Sequence, residues 1–229
     1  MSTFGPHKPE LFTPDLWRLV FVAAVSLLVA FFVIALQWRG TGEFSASDQR
    51  HSLQQAREYL QHGDDAIAVQ LLSNLAKKNN PNAQYWLGHM TELGLGTKRN
   101  LRAAIGLYKQ AAGKKVVAAE LRLGELYLHG NLVWPDSSKA KAYLERAAYQ
   151  GEPRAAMLIG EMYRAGTGTP PDLVKAYAWW EVATIEGNTF AKRERDAALH
   201  ALDVKGQKAA VARAKDILAD IKRETTLKS

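Results

Sequence analysis

The sequence predicts an all-α protein, a helical-repeat solenoid of about five helix–turn–helix pairs preceded by one transmembrane helix. Three observations carry this. Residue columns recur every 36 positions across three units without a gap. Within each unit, apolar and small residues fall at helical spacing. Near the N-terminus, Leu19 to Leu36 forms an uncharged run of 18 residues in which Ser26 is the one polar side chain.

Taken in order, residues 1–16 read as a tail carrying Pro6, Pro9 and Pro14. Residues 17–38 read as the membrane helix. Trp17 and Trp38 bracket the apolar run, and the helical rise sets them roughly 30 Å apart, the thickness of a hydrocarbon core. Arg18 and Arg39 stand just outside it. A cleaved signal peptide has a shorter apolar core with a small-x-small site close behind. Here Ser45-Ala46-Ser47 lies far downstream, so an uncleaved anchor is expected. Lys8 and Arg18 nearly balance Arg39, Arg50 and Arg57 across the run, and the short tail is expected inside the cytoplasm. Residues 39–47 form a linker.

The repeat domain spans residues 48–224, with clear units at 80–115, 116–151 and 152–187, degenerate caps at 48–79 and 188–224, and a tail at 225–229. Ala83, Ala119 and Ala155 correspond, as do Gly88, Gly124 and Gly160. Both columns place small residues where a neighbouring helix approaches closely. Gly94, Gly130 and Gly166 fall just past a first helix, where a left-handed cap favours glycine. Six residues on, Asn100, Asp136 and Asp172 are placed to N-cap a second helix, and Asp64 continues that column upstream. In the second helix Ala104, Ile105, Tyr108, Ala111 and Ala112 form the stripe that faces its partner. Ser47 to His62 and Asp64 to Lys78 make the first pair, and Phe190 to Leu202 and Lys205 to Glu224 the last. Polar, atypical ends are what a solenoid needs to cover its terminal faces.

The run Ala155-x-x-x-Ile159-Gly160-x-x-Tyr163-x-x-Gly166-x-Gly168, followed by Asp172-x-x-Lys175-Ala176-x-x-Trp179, resembles the Sel-one-like repeat (SLR) family, relatives of the tetratricopeptide repeat. The resemblance covers roughly residues 64 to 224. The middle unit departs at Leu132, which stands for the second glycine, and the first at Thr91 and Asn100, which stand for the tyrosine and aspartate. The resemblance implies a right-handed superhelix whose concave side is lined by first helices and used for protein binding. It carries no catalytic residues. It also implies a bacterial protein with the domain in the periplasm, anchored in the inner membrane.

Composition excludes several chemistries. The absence of cysteine removes disulfides, thiolate zinc sites and cysteine nucleophiles. The histidines His7, His51, His62, His89, His129 and His200 are scattered, without ligand spacing, so no metal or other cofactor is expected. Gly94-Leu95-Gly96 lacks the lysine and serine of a phosphate loop and is turn chemistry. No nucleophile–base set is assembled, so no enzyme is expected. Net charge is +7, all of it beyond the apolar run. Lys98, Arg99, Arg102, Lys109, Lys114, Lys115 and Arg122 face one acid, Glu120, giving a basic patch of +6 in that stretch. Such a patch is either a solvated helix face or a contact for anionic headgroups or an acidic protein. Nucleic acid is disfavoured because no recognised module or aromatic platform accompanies it.

Aligned first helices hold two variable columns on one face, with Trp86 and His89, then Arg122 and Glu125, then Leu158 and Glu161. This row is expected to face solvent, to line the groove and to bind a protein partner, with Trp86 as apolar and Arg122 as polar anchor. The expected function is a membrane-anchored scaffold or adaptor. The alternative is a structural subunit whose apolar helix packs on others through Ala23, Ala24 and Ala30.

Overall fold

The computed structural model describes residues 45–130 and 134–226. The apolar run Leu19 to Leu36, its flanking Trp17 and Trp38, and Leu132 lie outside these. Among the described residues no helix is long and apolar enough to cross a membrane.

The described residues form ten helices and no strand. They are α1 (Ala46–His62), α2 (Asp65–Lys77), α3 (Pro81–Leu93), α4 (Leu101–Gly113), α5 (Val117–His129), α6 (Ser137–Ala148), α7 (Pro153–Ala165), α8 (Leu173–Ile185), α9 (Thr189–Ala201) and α10 (Val204–Thr226). The helices are arranged as five pairs, and those of the first and last pairs, α1, α2, α9 and α10, have each end within two residues of the expected one. Helices α3 and α4, α5 and α6, and α7 and α8 pack as hairpins. Each hairpin then stacks on the next through α4 with α5 and α6 with α7, and α5 also touches α7. Helices α9 and α10 both rest on α8.

Local chemistry sets these boundaries. The Asn100, Asp136 and Asp172 side chains accept hydrogen bonds from the backbone N–H groups of Ala103, Lys139 and Lys175 at 3.0, 2.9 and 2.9 Å, as N-caps do. Asp64 stands before α2 without a side-chain cap bond. Gly94, Gly130 and Gly166 end the first helices at φ of +80°, +67° and +74°, the left-handed cap expected of that column.

The other glycine column makes the hairpins close. A Cβ on Gly88, Gly124 or Gly160 would lie 3.0, 2.6 or 2.5 Å from Tyr108, Leu144 or Trp180 respectively. Those three side chains are fully buried. One large residue of each second helix thus rests on bare backbone of its partner. The stripe Ala104, Ile105, Tyr108, Ala111 and Ala112 is buried throughout.

The core comes in two parts. Leu53 and Ala56 of α1, Ala68, Leu72 and Leu75 of α2, and Ala83 and Met90 of α3 form the first. The second runs from Ala104 on α4 to Ile221 on α10. Helix α3 also buries polar side chains, Gln84, Thr91 and Glu92. At the position where the other repeats have tyrosine, the Thr91 hydroxyl donates to the Leu87 carbonyl at 2.7 Å.

Candidate functional site

First helices of successive repeats are joined by a ladder of alternating charge. Arg122 on α5 donates to both carboxylate oxygens of Glu92 on α3, at 3.0 Å through Nε, and to Glu125 at 2.9 Å through Nη1. Arg154 on α7 closes on the other oxygen of Glu125 at 2.7 Å. Tyr108 completes the set with an O–H bond to Glu92 at 2.7 Å. Burial acts to raise the Glu92 carboxyl, but the hydrogen bonds from Arg122 and Tyr108 outweigh it and hold the group below the ordinary glutamate range. Burial, followed by the bond to Glu92, pushes the Tyr108 phenol well up. The bond to Glu92 raises Arg122 against its partial burial.

This changes the expected row of solvent-facing positions. Trp86, His89, Arg122 and Glu161 are half-buried, but Glu125 is only 7% and Leu158 9% exposed. Glu125 is covered because Arg122 and Arg154 both lie across it. Leu158 is covered because it belongs to the continuous core. Arg122 is engaged by two carboxylates of its own chain, which occupies its donors before any partner arrives.

At the N-terminal end of the row, aromatic groups gather. Trp86 stands edge-on to Tyr85 at 5.4 Å and to His89 at 6.2 Å, while Tyr85 stacks on His89 at 6.3 Å. Arg57 from α1 caps the indole at 5.8 Å, and Trp86 also packs against the first core. Sequence reasoning missed Glu92 and Arg154, and it placed Tyr108 in the packing stripe without its bond to Glu92. Glu92 and Arg122 lie 30 residues apart, less than the period, because Arg122 stands six residues earlier in its helix than Glu92 does in its own.

The basic patch is exposed at Lys98, Arg99, Arg102, Lys109, Lys114 and Lys115. Arg99 donates to the Glu92 carbonyl at 3.1 Å and Lys114 to that of Asn79. Among the described residues no ion pair engages Lys98, Arg102, Lys109 or Lys115. Among them, too, no cluster of His, Asp or Glu side chains is arranged to hold a metal ion.

Residues 81–115, 117–152 and 153–188 each match the Sel1 repeat. These three units are similar to Sel1 repeats. The chain is 35% identical over 89 residues to a putative sel1-like repeat-containing protein of Acanthamoeba polyphaga mimivirus, a stretch covering 39% of this chain and 16% of that one. The crystal structure of a Sel1 repeat protein from Oxalobacter formigenes superposes with a TM-score of 0.58 at 25% identity, over 63% of this chain and 57% of the other. A protective antigen of uropathogenic Escherichia coli strains displaying an SLR fold gives a TM-score of 0.48 at 24% identity, covering 71% of this chain and 44% of that one. The chain thus spans less than two thirds of each relative's length. Sel1-repeat proteins generally mediate protein–protein interaction rather than catalysis.

Proposed function

We propose that this chain is a membrane-anchored adaptor that binds a partner protein along its first-helix face. The observation that carries this is the part-exposed aromatic group of Tyr85, Trp86 and His89, set at the end of a charge ladder that fixes α3, α5 and α7 relative to one another. Large amphipathic rings held on rigid elements dominate protein interfaces. In this reading Trp86, His89 and Glu161 meet the partner, while Arg122 and Glu125 hold the face in shape.

A photoreactive amino acid placed at His89 or at Glu161, compared with one at exposed Ala212 on α10, tests this without removing a packed side chain. Crosslinks to one protein from the first two positions support the reading. Crosslinks from Ala212 alone would overturn it.

The anchoring rests on the uncharged 18-residue run Leu19 to Leu36, bracketed by Trp17 and Trp38. We place the anchor in a bacterial inner membrane with the repeats in the periplasm and Lys98, Lys114 and Lys115 near anionic headgroups. A reporter fused after Ser229 tests the side. Replacing Leu19 to Leu36 by an unrelated anchor tests the role of the helix, because retained function supports an adaptor and lost function a packed subunit.

A further inference from the structure

Two turns of the basic patch are more than a charged surface. Arg102, Ile105, Gly106 and Lys109 fall at i, i+3, i+4 and i+7 along α4, so they share a face. With Tyr127 and Gly130 at the end of α5, and Trp134 and Pro135 before α6, they line a cavity of about 800 Å³. Its mouth carries Trp134, 92% exposed, and the Tyr127 ring lies between Lys109 at 6.0 Å and Lys139 at 5.5 Å.

The repeat supplies an internal control. One period on, Ile105, Gly106 and Lys109 are replaced by Lys141, Ala142 and Glu145. There Lys141 lies 5.0 Å from the Tyr163 ring and 3.7 Å from Glu145, so that copy neutralises its own charge. In the first copy the apolar Ile105 stands where that lysine would be, and the cations Arg102 and Lys109 have no carboxylate among the described residues. Gly106 is a second, independent sign. It sits mid-helix at an ordinary backbone angle, and a Cβ there would meet nothing within 4 Å. Neither packing nor conformation requires it, though glycine destabilises a helix interior relative to alanine. What it does provide is room in the cavity wall.

We propose that this cavity binds a short acidic segment of a partner protein, one that carries a single large apolar side chain. Arg102 and Lys109 are separated by roughly 10 Å of helix axis, about three residues of extended chain. Carboxylates at that spacing meet both cations, while the apolar side chain between them enters over Ile105 and Gly106 against Trp134. A lipid surface presents charge to Arg102 and Lys109 but has no side chain to fill a concavity walled by Ile105, Tyr127 and Pro135. The site shares no residue with the first-helix row and relies on the adaptor reading only in taking a protein as its ligand.

The test uses the full chain and a fluorescent peptide of glutamates around one phenylalanine, followed by anisotropy at low ionic strength. Two control peptides have glutamine for every glutamate or alanine for the phenylalanine, and phosphatidylcholine vesicles containing phosphatidylglycerol serve as the lipid probe. The acidic phenylalanine peptide is expected to bind above both controls. Trp134→Ala and the pair Arg102→Ala and Lys109→Ala each weaken it about tenfold. Gly106→Leu is the decisive variant, because it raises the thermal midpoint while weakening the peptide by a similar factor. Binding that ignores these variants, or no binding at all, overturns the proposal. So does equal affinity for the alanine peptide together with variant-sensitive capture by the vesicles, which would make the patch a headgroup contact. If Trp86→Ala or His89→Ala abolishes peptide binding while the cavity variants do not, the acidic segment belongs to the first-helix face. In that outcome the adaptor reading stands and this one fails.

Discussion

Arg122 answers two carboxylates on two helices, and its loss is therefore not a surface change. Arg122→Ala leaves Glu92, whose side chain is 7% exposed, with only the Tyr108 hydroxyl. We expect a cost of about 2 kcal/mol, modest for a buried pair because the Arg122 side chain is itself 35% exposed. The same substitution on a Glu92→Gln background should cost less, which a double-mutant cycle in urea measures. The pH dependence follows from the same group. The fold favours ionised Glu92, so its contribution is present above the ordinary glutamate range and disappears as pH falls through the lower folded value. A thermal-melt series on acidification should show this slope in the natural chain and a shallower one in Glu92→Gln. The glycines against second helices were legible from their 36-residue recurrence, and Gly160→Ala tests what they do. Its methyl would meet the buried Trp180 indole at 2.5 Å, and we expect a loss of about 1–3 kcal/mol by chemical denaturation. The charge ladder was not legible, because periodic columns reveal residues that repeat and this ladder is made of residues that do not: Glu92, Arg122 and Arg154 occupy three different columns.

At the level of the element, ends were the easiest feature to read. Asn or Asp six residues beyond a glycine specifies where one helix stops and the next starts, and both groups behave as those residue types require. Position alone was not sufficient. Asp172→Ala should cost about 1 kcal/mol through its lost cap bond, whereas Asp64→Ala should cost little, since Asp64 caps nothing. Comparing the two thermal midpoints checks this. The turn after each second helix holds a quieter regularity. Asn79 and Lys115 adopt φ of +61°, where Gly151 and Gly187 stand one and two periods later. A side chain in that region is strained, so Lys115→Gly should hold or raise stability, a result read from the same melts.

Across the whole repeat domain, the division of the core into two clusters predicts uneven stability. The smaller one, shared by α1, α2 and α3, meets the larger across a helix that buries Gln84 and Glu92 instead of continuous hydrocarbon. Repeat arrays draw stability from each interface in turn, so α1 to α3 should open at lower free energy than α5 to α8. Hydrogen exchange read by mass spectrometry is expected to show amides of residues 50–77 exchanging before those of 117–185. The covering of the expected binding row at Glu125 and Leu158 belongs to this scale too, since a column's variability in sequence does not say which neighbour lies over it.

The ladder of Glu92, Arg122, Glu125 and Arg154 sums to zero charge, although the chain as a whole carries +7. The first-helix face is therefore electrically quiet, and the unpaired positive potential stands over α4. At ordinary salt, fields act over about 10 Å, so an acidic partner is drawn towards α4 while still in free diffusion. Its rate of arrival there falls as salt is added. A partner seated on Trp86 and His89 arrives at a rate nearly blind to salt. The two faces thus differ in how a partner finds them.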